Sequence, residues 1–396
     1  MIEFKINVAN RKVILVPSNM KRSSLKHRSM ESPMKIKIIR VISAIFIAMT
    51  CHAAIFAAPE VPTAADFLSA ANPYGSSLGC AGCDEGIEGA TVERVMLYPR
   101  QNMTSAETIK RMGILIKYKD AVATVVMCHG FMCNKYDQGF LRQLFTRGRY
   151  NILSFDFRAH GEINEGQVCT FGRDELHDVY AAAQFVKNHP DLKNKPVFVY
   201  GFSMGAVAAI EAQAHDGSLF DAMILDCPFD SSANVIRRLL ERVKFSVCGY
   251  EFGLPCCGIL QRYAFHPYVQ ACIKNVLKTV GHMDPRGTVT HLCPVNTVES
   301  IKKIKVPVFL INCKNDIKVP VEAIKALYNY CSSLHKLLWI TNGRCHFDSY
   351  FYNPEKYTER VRGFLEGYLS GLQEKKYQQV IEDQGETYKG AVEEVR

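Results

Sequence analysis

The sequence predicts an α/β protein built around a doubly wound, mostly parallel sheet. From about residue 91 onward, short runs rich in β-branched residues alternate with amphipathic segments of helical length. Several of the short runs are apolar throughout, which is typical of strands that are buried on both faces. Such alternation implies right-handed β-α-β crossovers, and ligands then bind at the carboxyl ends of the strands.

The predicted elements follow one another in a regular order. An antiparallel pair of strands, 91–99 and 113–119, opens the domain. The buried strands after it are 123–130, 151–161, 196–201, 221–229, 306–313 and 336–341. The predicted helices are 138–148, 173–190, 204–215, 320–331 and about 354–371. These elements define one domain over 91–372, followed by a charged tail at 373–396.

Residues 230–304 interrupt this order. The segment opens with an amphipathic helix, 231–245, and then becomes rich in Gly, Pro, Cys and aromatic residues. The apolar face of the helix comprises Val235, Ile236, Leu239, Leu240 and Val243. An insertion between two core strands, above their carboxyl ends, predicts a cysteine-rich cap over a pocket. The alternative is a surface excursion that does not touch substrate.

Most of the net charge of +9 lies at the N-terminus. Residues 1–58 contribute +8, which leaves +1 for the rest of the chain. A domain with so even a charge balance lacks the basic surface of a nucleic-acid-binding protein, so we exclude that class.

The N-terminal segment 1–58 has the features of a targeting sequence. From Met34, a short basic region precedes an apolar stretch, Val41–Met49, and then small residues up to Ala58. These are the parts of a secretory signal peptide, so we expect translation to start at Met34 and the protein to be exported to a periplasm or secreted. An uncleaved leader that anchors the chain in a membrane is the alternative, because 41–58 is nearly long enough to span one.

The chain has 15 cysteines, which is many for a cytosolic enzyme. Cys80 and Cys83 lie in the Gly- and Cys-containing lead-in, 59–90, and five more occur in the predicted cap. Those five are Cys248, Cys256, Cys257, Cys272 and Cys293. We expect local disulfides among them after export. A structural zinc site would need a second CxxC pair, and the sequence has none, so no metal site is predicted.

Three other cysteines end apolar runs that are predicted to be strands. They are Cys128, Cys227 and Cys313. Their positions predict buried, inert thiols.

Ser203 lies in the stretch VYGFSMGAV, between a predicted strand and a predicted helix. Gly201 and Gly205 flank it in the pattern G-x-S-x-G, in which glycines relieve the crowding of a tight strand-to-helix turn. Such a turn exposes the serine hydroxyl at the carboxyl end of the strand, with the helix dipole directed at it. The pattern predicts a nucleophile elbow, and a serine nucleophile requires a base and an acid at the same edge.

Two downstream residues meet that requirement in chain order. Asp316 follows the strand 306–313, and His346 lies in the loop after the last strand. Ser, Asp, His is the order that this architecture uses. Asp226 and Asp348 are rival acids. We prefer Asp316, because Asp226 would serve only in a variant arrangement and Asp348 would have to fold back onto the histidine.

A developing oxyanion needs two convergent amide donors. The first is predicted to be the N–H of Met204, directly after the nucleophile. The second is predicted in the loop HGFMC, at the N–H of Phe131. His129 precedes Gly130 in that loop, and we expect its ring to bond backbone groups and shape the loop instead of acting as a base.

The stretches CHGFMCN, FDFRAHGE, GFSMGA, KNDIKVP and GRCHF occur in this order. Together they resemble the α/β-hydrolase superfamily, and in particular its monoglyceride-lipase-like and serine-aminopeptidase-like branch, over about residues 95–370. The resemblance implies that Ser203 is the nucleophile, Asp316 the acid and His346 the base, with oxyanion amides at Phe131 and Met204. It also implies that no cofactor is used.

FDFRAHGE is similar to the family's D-x-R-G-H-G-x-S stretch, with Ala159 in place of the usual Gly. That stretch is normally structural in the family. The resemblance therefore makes Asp156, Arg158 and His160 scaffold residues. The cysteine-rich insertion and the Cys80–Cys83 lead-in depart from the family pattern.

The sequence thus predicts a serine hydrolase that cleaves carboxylic esters of short or medium acyl chain through an acyl-enzyme intermediate. The substrate class includes small molecules and lipids, and a lipid would bring transient contact with a membrane surface. Three alternatives stay open: a peptidase or amidase with the same triad, an acyltransferase, and a non-catalytic binding protein that kept the fold.

Overall fold

The computed structural model describes residues 4–9, 12–17 and 89–371, without 143, 146–147, 164–165, 243, 248–249, 254–256 and 272–290. The predicted signal peptide, most of the lead-in with Cys80 and Cys83, and the tail 373–396 lie outside the described residues. The chain divides into two units, Met1–Phe56 and Ala57–Arg396. Among the described helices, none combines the length and the hydropathy that a bilayer crossing requires.

The structure contains twelve named strands in its described parts. They are β1 (Phe4–Ala9), β2 (Lys12–Pro17), β3 (Ala90–Leu97), β4 (Arg111–Tyr118), β5 (Ala123–Cys128), β6 (Tyr150–Phe155), β7 (Val197–Phe202), β8 (Ala222–Asp226), β9 (Lys244–Val247), β10 (Tyr250–Gly253), β11 (Val308–Cys313) and β12 (Lys336–Thr341). In the first unit, β1 and β2 pair as an antiparallel hairpin that the sequence analysis did not predict.

The second unit is organised around an eight-stranded sheet with the order β12-β11-β8-β7-β5-β6-β4-β3. Within this sheet the neighbouring strands β12, β11, β8, β7, β5 and β6 pair in parallel, whereas β3 and β4 pair antiparallel and β4 is antiparallel to β6. The predicted doubly wound, mostly parallel sheet with an opening antiparallel pair is therefore confirmed.

Residues 267–271 are helical, and nine further helices have both of their ends in the described residues. They are α1 (Gly139–Arg142), α2 (Glu175–Asn188), α3 (Met204–His215), α4 (Ser232–Arg242), α5 (Cys257–Arg262), α6 (Thr297–Ile301), α7 (Val321–Tyr330), α8 (Ser349–Tyr352) and α9 (Pro354–Leu369). All the predicted helices of the domain are present, although α1 has only four residues where eleven were predicted.

Helices cover both faces of the sheet, which explains why the central strands are apolar throughout. In β5, Val126 faces a cluster that includes residues of α2, α3, α6 and α7. The neighbouring Val125 faces a second cluster, which includes Leu141 of α1 and Val361 of α9. Alternate side chains of one strand therefore enter two separate cores, as a doubly wound sheet requires.

The predicted cap contains structure that the sequence analysis missed. Its first helix, α4, buries Val235, Ile236 and Leu240 as predicted, but β9 and β10 then form an antiparallel hairpin. The two ends of the insertion are tied together, because Ser232 Oγ donates to Cys293 O at 2.8 Å and accepts from Val295 N at 2.9 Å. The function of this segment as a cap stays a prediction.

No disulfide joins any two of the cysteines whose side chains the structure describes. Cys128, Cys227 and Cys313 are fully buried, as predicted. Cys293 contradicts the disulfide prediction, because its buried sulfur contacts the carbonyl oxygen of His291 at 3.4 Å and no disulfide joins it to another described cysteine. The remaining cysteine side chains of the predicted cap lie outside the described residues.

Glu211 of α3 makes the stability of this fold pH-dependent. Burial raises its pKa from 4.5 to about 7, while Ser300 Oγ donates to its Oε2 at 2.7 Å. The folded protein therefore favours the protonated carboxyl group of Glu211. The contribution of this group to the free energy of unfolding is fully present below about pH 4.5 and is lost as the pH rises through about 7.

We therefore expect Glu211→Gln to reduce the loss of unfolding free energy between pH 5 and 8 by about 2 kcal/mol. Urea unfolding at both pH values measures this difference. Glu322→Gln, on the exposed side of α7, is the matched control and should leave it unchanged. An equal pH dependence in the parent and in Glu211→Gln would contradict the assignment.

Candidate active site

Ser203 occupies a sharp turn between β7 and α3. Its backbone has φ 52° and ψ −120°, a conformation that a residue with a side chain rarely adopts. Two hydrogen bonds fix this turn: Ser203 N donates to Asp226 O at 2.8 Å, and Val207 N donates to Ser203 O at 3.1 Å. The side chain is thus held at the carboxyl edge of the sheet, where the sequence predicted it.

Neighbouring backbone atoms leave no room for a side chain at Gly201 or at Gly205. A Cβ at Gly201 would lie 2.8 Å from Cα of Ala206, and one at Gly205 would overlap the carbonyl oxygens of Cys128 and His129. The glycines therefore let α3 begin directly against the ends of β5 and β7.

We expect Gly205→Ala to lower the free energy of unfolding by about 3 kcal/mol, because backbone atoms at the end of a buried strand cannot move aside. Urea unfolding measures the change. Gly363→Ala is a control of opposite sign: the space around Gly363 in α9 is open, so alanine should stabilise by about 0.5–1 kcal/mol. A Gly205→Ala protein as stable as the parent would contradict the close approach.

The structure brings the side chains of Ser203, His346 and Asp316 together. His346 Nε2 lies 2.9 Å from Ser203 Oγ, and its Nδ1 lies 2.7 Å from Asp316 Oδ2. The other oxygen of Asp316 accepts from Lys318 N at 2.8 Å and from Val319 N at 2.9 Å. Since a carboxylate oxygen only accepts, Nδ1 of His346 donates, and Nε2 is left to accept from the serine hydroxyl.

The rival acids have other partners. Asp348 accepts three hydrogen bonds from Arg344, at 2.7 Å from the backbone N, 2.9 Å from Nε and 2.9 Å from Nη2. Asp226 accepts from the hydroxyl of Tyr357 at 2.8 Å, and burial raises its pKa to about 8. Neither carboxyl group bonds to His346 in the described structure.

The loop that carries Phe131 is held by two histidines. His129 Nε2 accepts from Phe157 N at 3.0 Å, so its Nδ1 donates to Gly130 O at 2.7 Å. His160 Nε2 accepts from Met132 N at 3.1 Å. Burial lowers the pKa of both rings, which keeps them neutral and able to accept in this way. These contacts agree with the structural roles predicted for both histidines.

Two buried ion pairs brace the same loops. Lys135 Nζ lies 2.7 Å from Asp156 Oδ2, while Lys135 N donates to Oδ1 at 2.8 Å. Arg158 binds Asp178 of α2 through Nε at 3.0 Å and Nη2 at 2.9 Å. The sequence indicated Asp156 and Arg158 as scaffold residues, but no pattern indicated their partners Lys135 and Asp178, which lie about 20 residues away in the chain.

Aromatic side chains extend from the loop that carries Phe131 toward the buried face of α4. Phe131 packs on Phe171 with ring centroids 4.9 Å apart, and Phe171 packs on Phe229 at 5.8 Å. Phe131 and Phe171 are only partly buried. They form an apolar surface beside the predicted oxyanion amide.

A cleft of about 420 Å³ lies next to Asp316. Arg238 and Glu241 of α4 line one side of it, and the loop from Lys314 to Pro320 lines the other. The first helix of the insertion therefore borders an opening beside the predicted acid.

Cys227 is a neighbour of the site that the sequence analysis did not identify. Its Sγ lies 3.9 Å from Nε2 of His346. Cys227 directly follows β8, and the carboxyl ends of several strands meet at this edge of the sheet. That position was the only feature of the sequence that could have placed Cys227 near the site.

The strand order, the strained serine turn and the converging side chains define the class of this protein, and the chain belongs to the α/β-hydrolase superfamily. A family model described as serine aminopeptidase, S33, matches residues 119–248. The chain is 30% identical to the uncharacterized protein YqkD of Bacillus subtilis over 258 residues, which cover 64% of this chain and 74% of that protein.

Solved structures share the fold. The Pyrococcus furiosus esterase Pf2001 aligns with a TM-score of 0.51 and 24% identity, over 69% of this chain and 92% of its own. The α/β hydrolase GrgF from Penicillium sp. sh18 also aligns with a TM-score of 0.51, at 17% identity, over 69% of this chain and 98% of its own. At these identities the likeness supports the fold alone.

Proposed function

We propose that this hydrolase cleaves carboxylic esters with Ser203 as nucleophile, His346 as general base and acid, and Asp316 as the group that orients the histidine. The observation that carries the proposal is the continuous series of hydrogen bonds from Asp316 Oδ2 through the imidazole to Ser203 Oγ, with distances of 2.7 and 2.9 Å. Distances of this size suit a base that removes a proton from its nucleophile.

The proposed reaction has two stages, acylation and deacylation of the serine. Ser203 Oγ attacks the acyl carbon while its proton passes to His346 Nε2. The amides of Met204 and Phe131 stabilise the oxyanion. His346 returns the proton to the leaving alcohol, which breaks the ester bond and leaves an acyl-serine. A water molecule, deprotonated by the same nitrogen, then releases the acid and restores Ser203.

The aromatic surface of Phe131 and Phe171 supports an apolar acyl group, because it lies beside the predicted oxyanion amide and is partly exposed. We therefore propose small-molecule or lipid esters with a short or medium acyl chain as substrates.

A peptidase or amidase is the second candidate, since the matching family model is described as a serine aminopeptidase. The same triad would attack an amide carbonyl. Rates on p-nitrophenyl acyl esters and on aminoacyl-anilides distinguish the two. Faster ester turnover is expected, and turnover of anilides alone would overturn the ester proposal.

A further inference from the structure

The thiol of Cys227 has no role in the proposed reaction, although it touches the histidine. Cys227 directly follows β8 with φ 46°, and its side chain is fully buried. Its Sγ lies 3.9 Å from His346 Nε2. Ligand atoms of Cys227, Asp316 and His346 all lie within 4.8 Å of one another.

These distances suit one metal ion between the sulfur and the ring nitrogen. Zinc binds cysteine sulfur at about 2.3 Å and histidine nitrogen at about 2.0–2.1 Å. The two bond lengths together exceed the observed separation of 3.9 Å, so one ion can contact both atoms with a bent S–Zn–N angle. Ser203 Oγ lies 2.9 Å from the same nitrogen, and water molecules would supply the remaining ligands of a tetrahedral site.

Asp316 contacts the other ring nitrogen of His346, Nδ1, which does not face the proposed metal position. A metal-binding histidine usually donates its other N–H to a carboxylate, which fixes the tautomer and raises the basicity of the ligand nitrogen. His346 does this already, because its Nδ1 lies 2.7 Å from Asp316 Oδ2. The contact that orients His346 for proton transfer also prepares Nε2 for a cation.

The local charges favour a cation as well. Burial raises the pKa of the Cys227 thiol, and the nearby carboxyl groups of Asp226 and Asp316 raise it further. The carboxylate of Asp316, whose oxygen lies within 4.8 Å of the ligand atoms of Cys227 and His346, attracts a divalent cation, and a thiol that coordinates a metal is deprotonated outright.

We propose that Cys227 and His346 form a binding site for a thiophilic divalent cation, with Zn²⁺ as the best fit, and that its occupancy reversibly blocks the hydrolase. On binding, the S–H bond breaks and its proton passes to solvent, while the sulfur and Nε2 each donate an electron pair to the metal. No atom is oxidised or reduced. With its lone pair coordinated, Nε2 can no longer accept the proton of Ser203.

The proposed inhibition rests on the proposed function, whereas the metal site does not. Metal binding is therefore measured separately from activity, with Cd²⁺. Cadmium–thiolate absorption in the near ultraviolet is titrated in the parent, in Cys227→Ser and in Cys345→Ser. Cys345 is the matched control: it is adjacent to His346, but its sulfur contacts the backbone carbonyl of His346 at 3.7 Å. The contributions of the other cysteines cancel in the difference spectra.

We expect Cys227→Ser to lose one cadmium equivalent that Cys345→Ser retains. In ester hydrolysis, Zn²⁺ should inhibit the parent and EDTA should restore the rate. The concentration for half-inhibition, relative to the metal-free rate of each variant, should rise about tenfold or more in Cys227→Ser.

Equal cadmium titrations of the parent and Cys227→Ser, or a loss confined to Cys345→Ser, would overturn the site. A lost equivalent without inhibition would overturn only the effect on activity. If Cys227→Ser does not fold, His346→Gln tests the second ligand, and an unchanged cadmium affinity in it would also overturn the proposal. A protein that binds cadmium at Cys227 but hydrolyses no ester would refute the proposed function and not the site.

Discussion

Ser203→Ala is expected to abolish covalent labelling by a fluorophosphonate and to lower kcat for ester hydrolysis by about 10⁴-fold or more. The variant keeps the turn but removes the oxygen that lies 2.9 Å from His346 Nε2. His346→Ala should lower kcat by a similar factor, because an unactivated serine hydroxyl is a weak nucleophile.

The double variant distinguishes a triad from two independent contributions. Residues that act as one unit give non-additive losses, so Ser203→Ala combined with His346→Ala should be little worse than either alone. Ser218→Ala, in an exposed position after α3, is the control for substitution itself and should label like the parent. A folded Ser203→Ala protein that still labels would place the nucleophile elsewhere.

The helices and strands that could be predicted accurately are those whose ends are marked by local residue patterns. The predicted helix 204–215 and the strand 336–341 match α3 and β12 residue for residue. In both cases, turn-forming residues or a change in apolar period mark the ends of the element. The buried strands were recognisable because both of their faces enter apolar clusters.

The short helix α1 shows where pattern was insufficient. Leu141, Leu144 and Phe145 are buried, as an amphipathic helix over 138–148 would require. The chain instead continues in turns, in which Leu144 N donates to Leu141 O at 3.0 Å and Phe145 N donates to Arg142 O at 3.0 Å. Over so few residues, an apolar period of three cannot be distinguished from one of 3.6.

The hairpin β9–β10 was missed for a different reason. Strand-forming residues lie on both sides of Cys248 and Gly249, but Cys-Gly is not one of the residue pairs that mark a tight hairpin turn. The abundance of Gly, Pro and Cys around it concealed the pattern.

The candidate site could be predicted as an order of residues, but its contacts could not. Ser203, Asp316 and His346 follow strands whose carboxyl ends share one edge of the sheet, so their convergence follows from topology. The contact of Cys227 with His346 joins residues 119 positions apart, and it has no periodic pattern. Such contacts depend on side-chain packing at the sheet edge, which sequence spacing does not encode.

Asp316→Asn is expected to lower kcat by about 10⁴-fold while the protein remains folded. The reason lies in the two backbone amides, Lys318 N and Val319 N, that donate to Oδ1. They require an acceptor there, so the asparagine oxygen takes that position and its NH₂ group faces His346 Nδ1. The ring must then accept at Nδ1 and carry its proton on Nε2, where it can no longer accept the proton of Ser203.

The same substitution at the rival acids is the matched control, with kcat measured on a p-nitrophenyl ester and folding followed by circular dichroism. Asp348→Asn removes charge from the contacts with Arg344, and Asp226→Asn replaces a carboxyl whose pKa burial has already raised to about 8. We expect each to retain far more activity than Asp316→Asn. A greater loss in Asp226→Asn would assign the acid to the end of β8, since the orientation of His346 would then depend on that carboxyl and not on the one 2.7 Å from its ring.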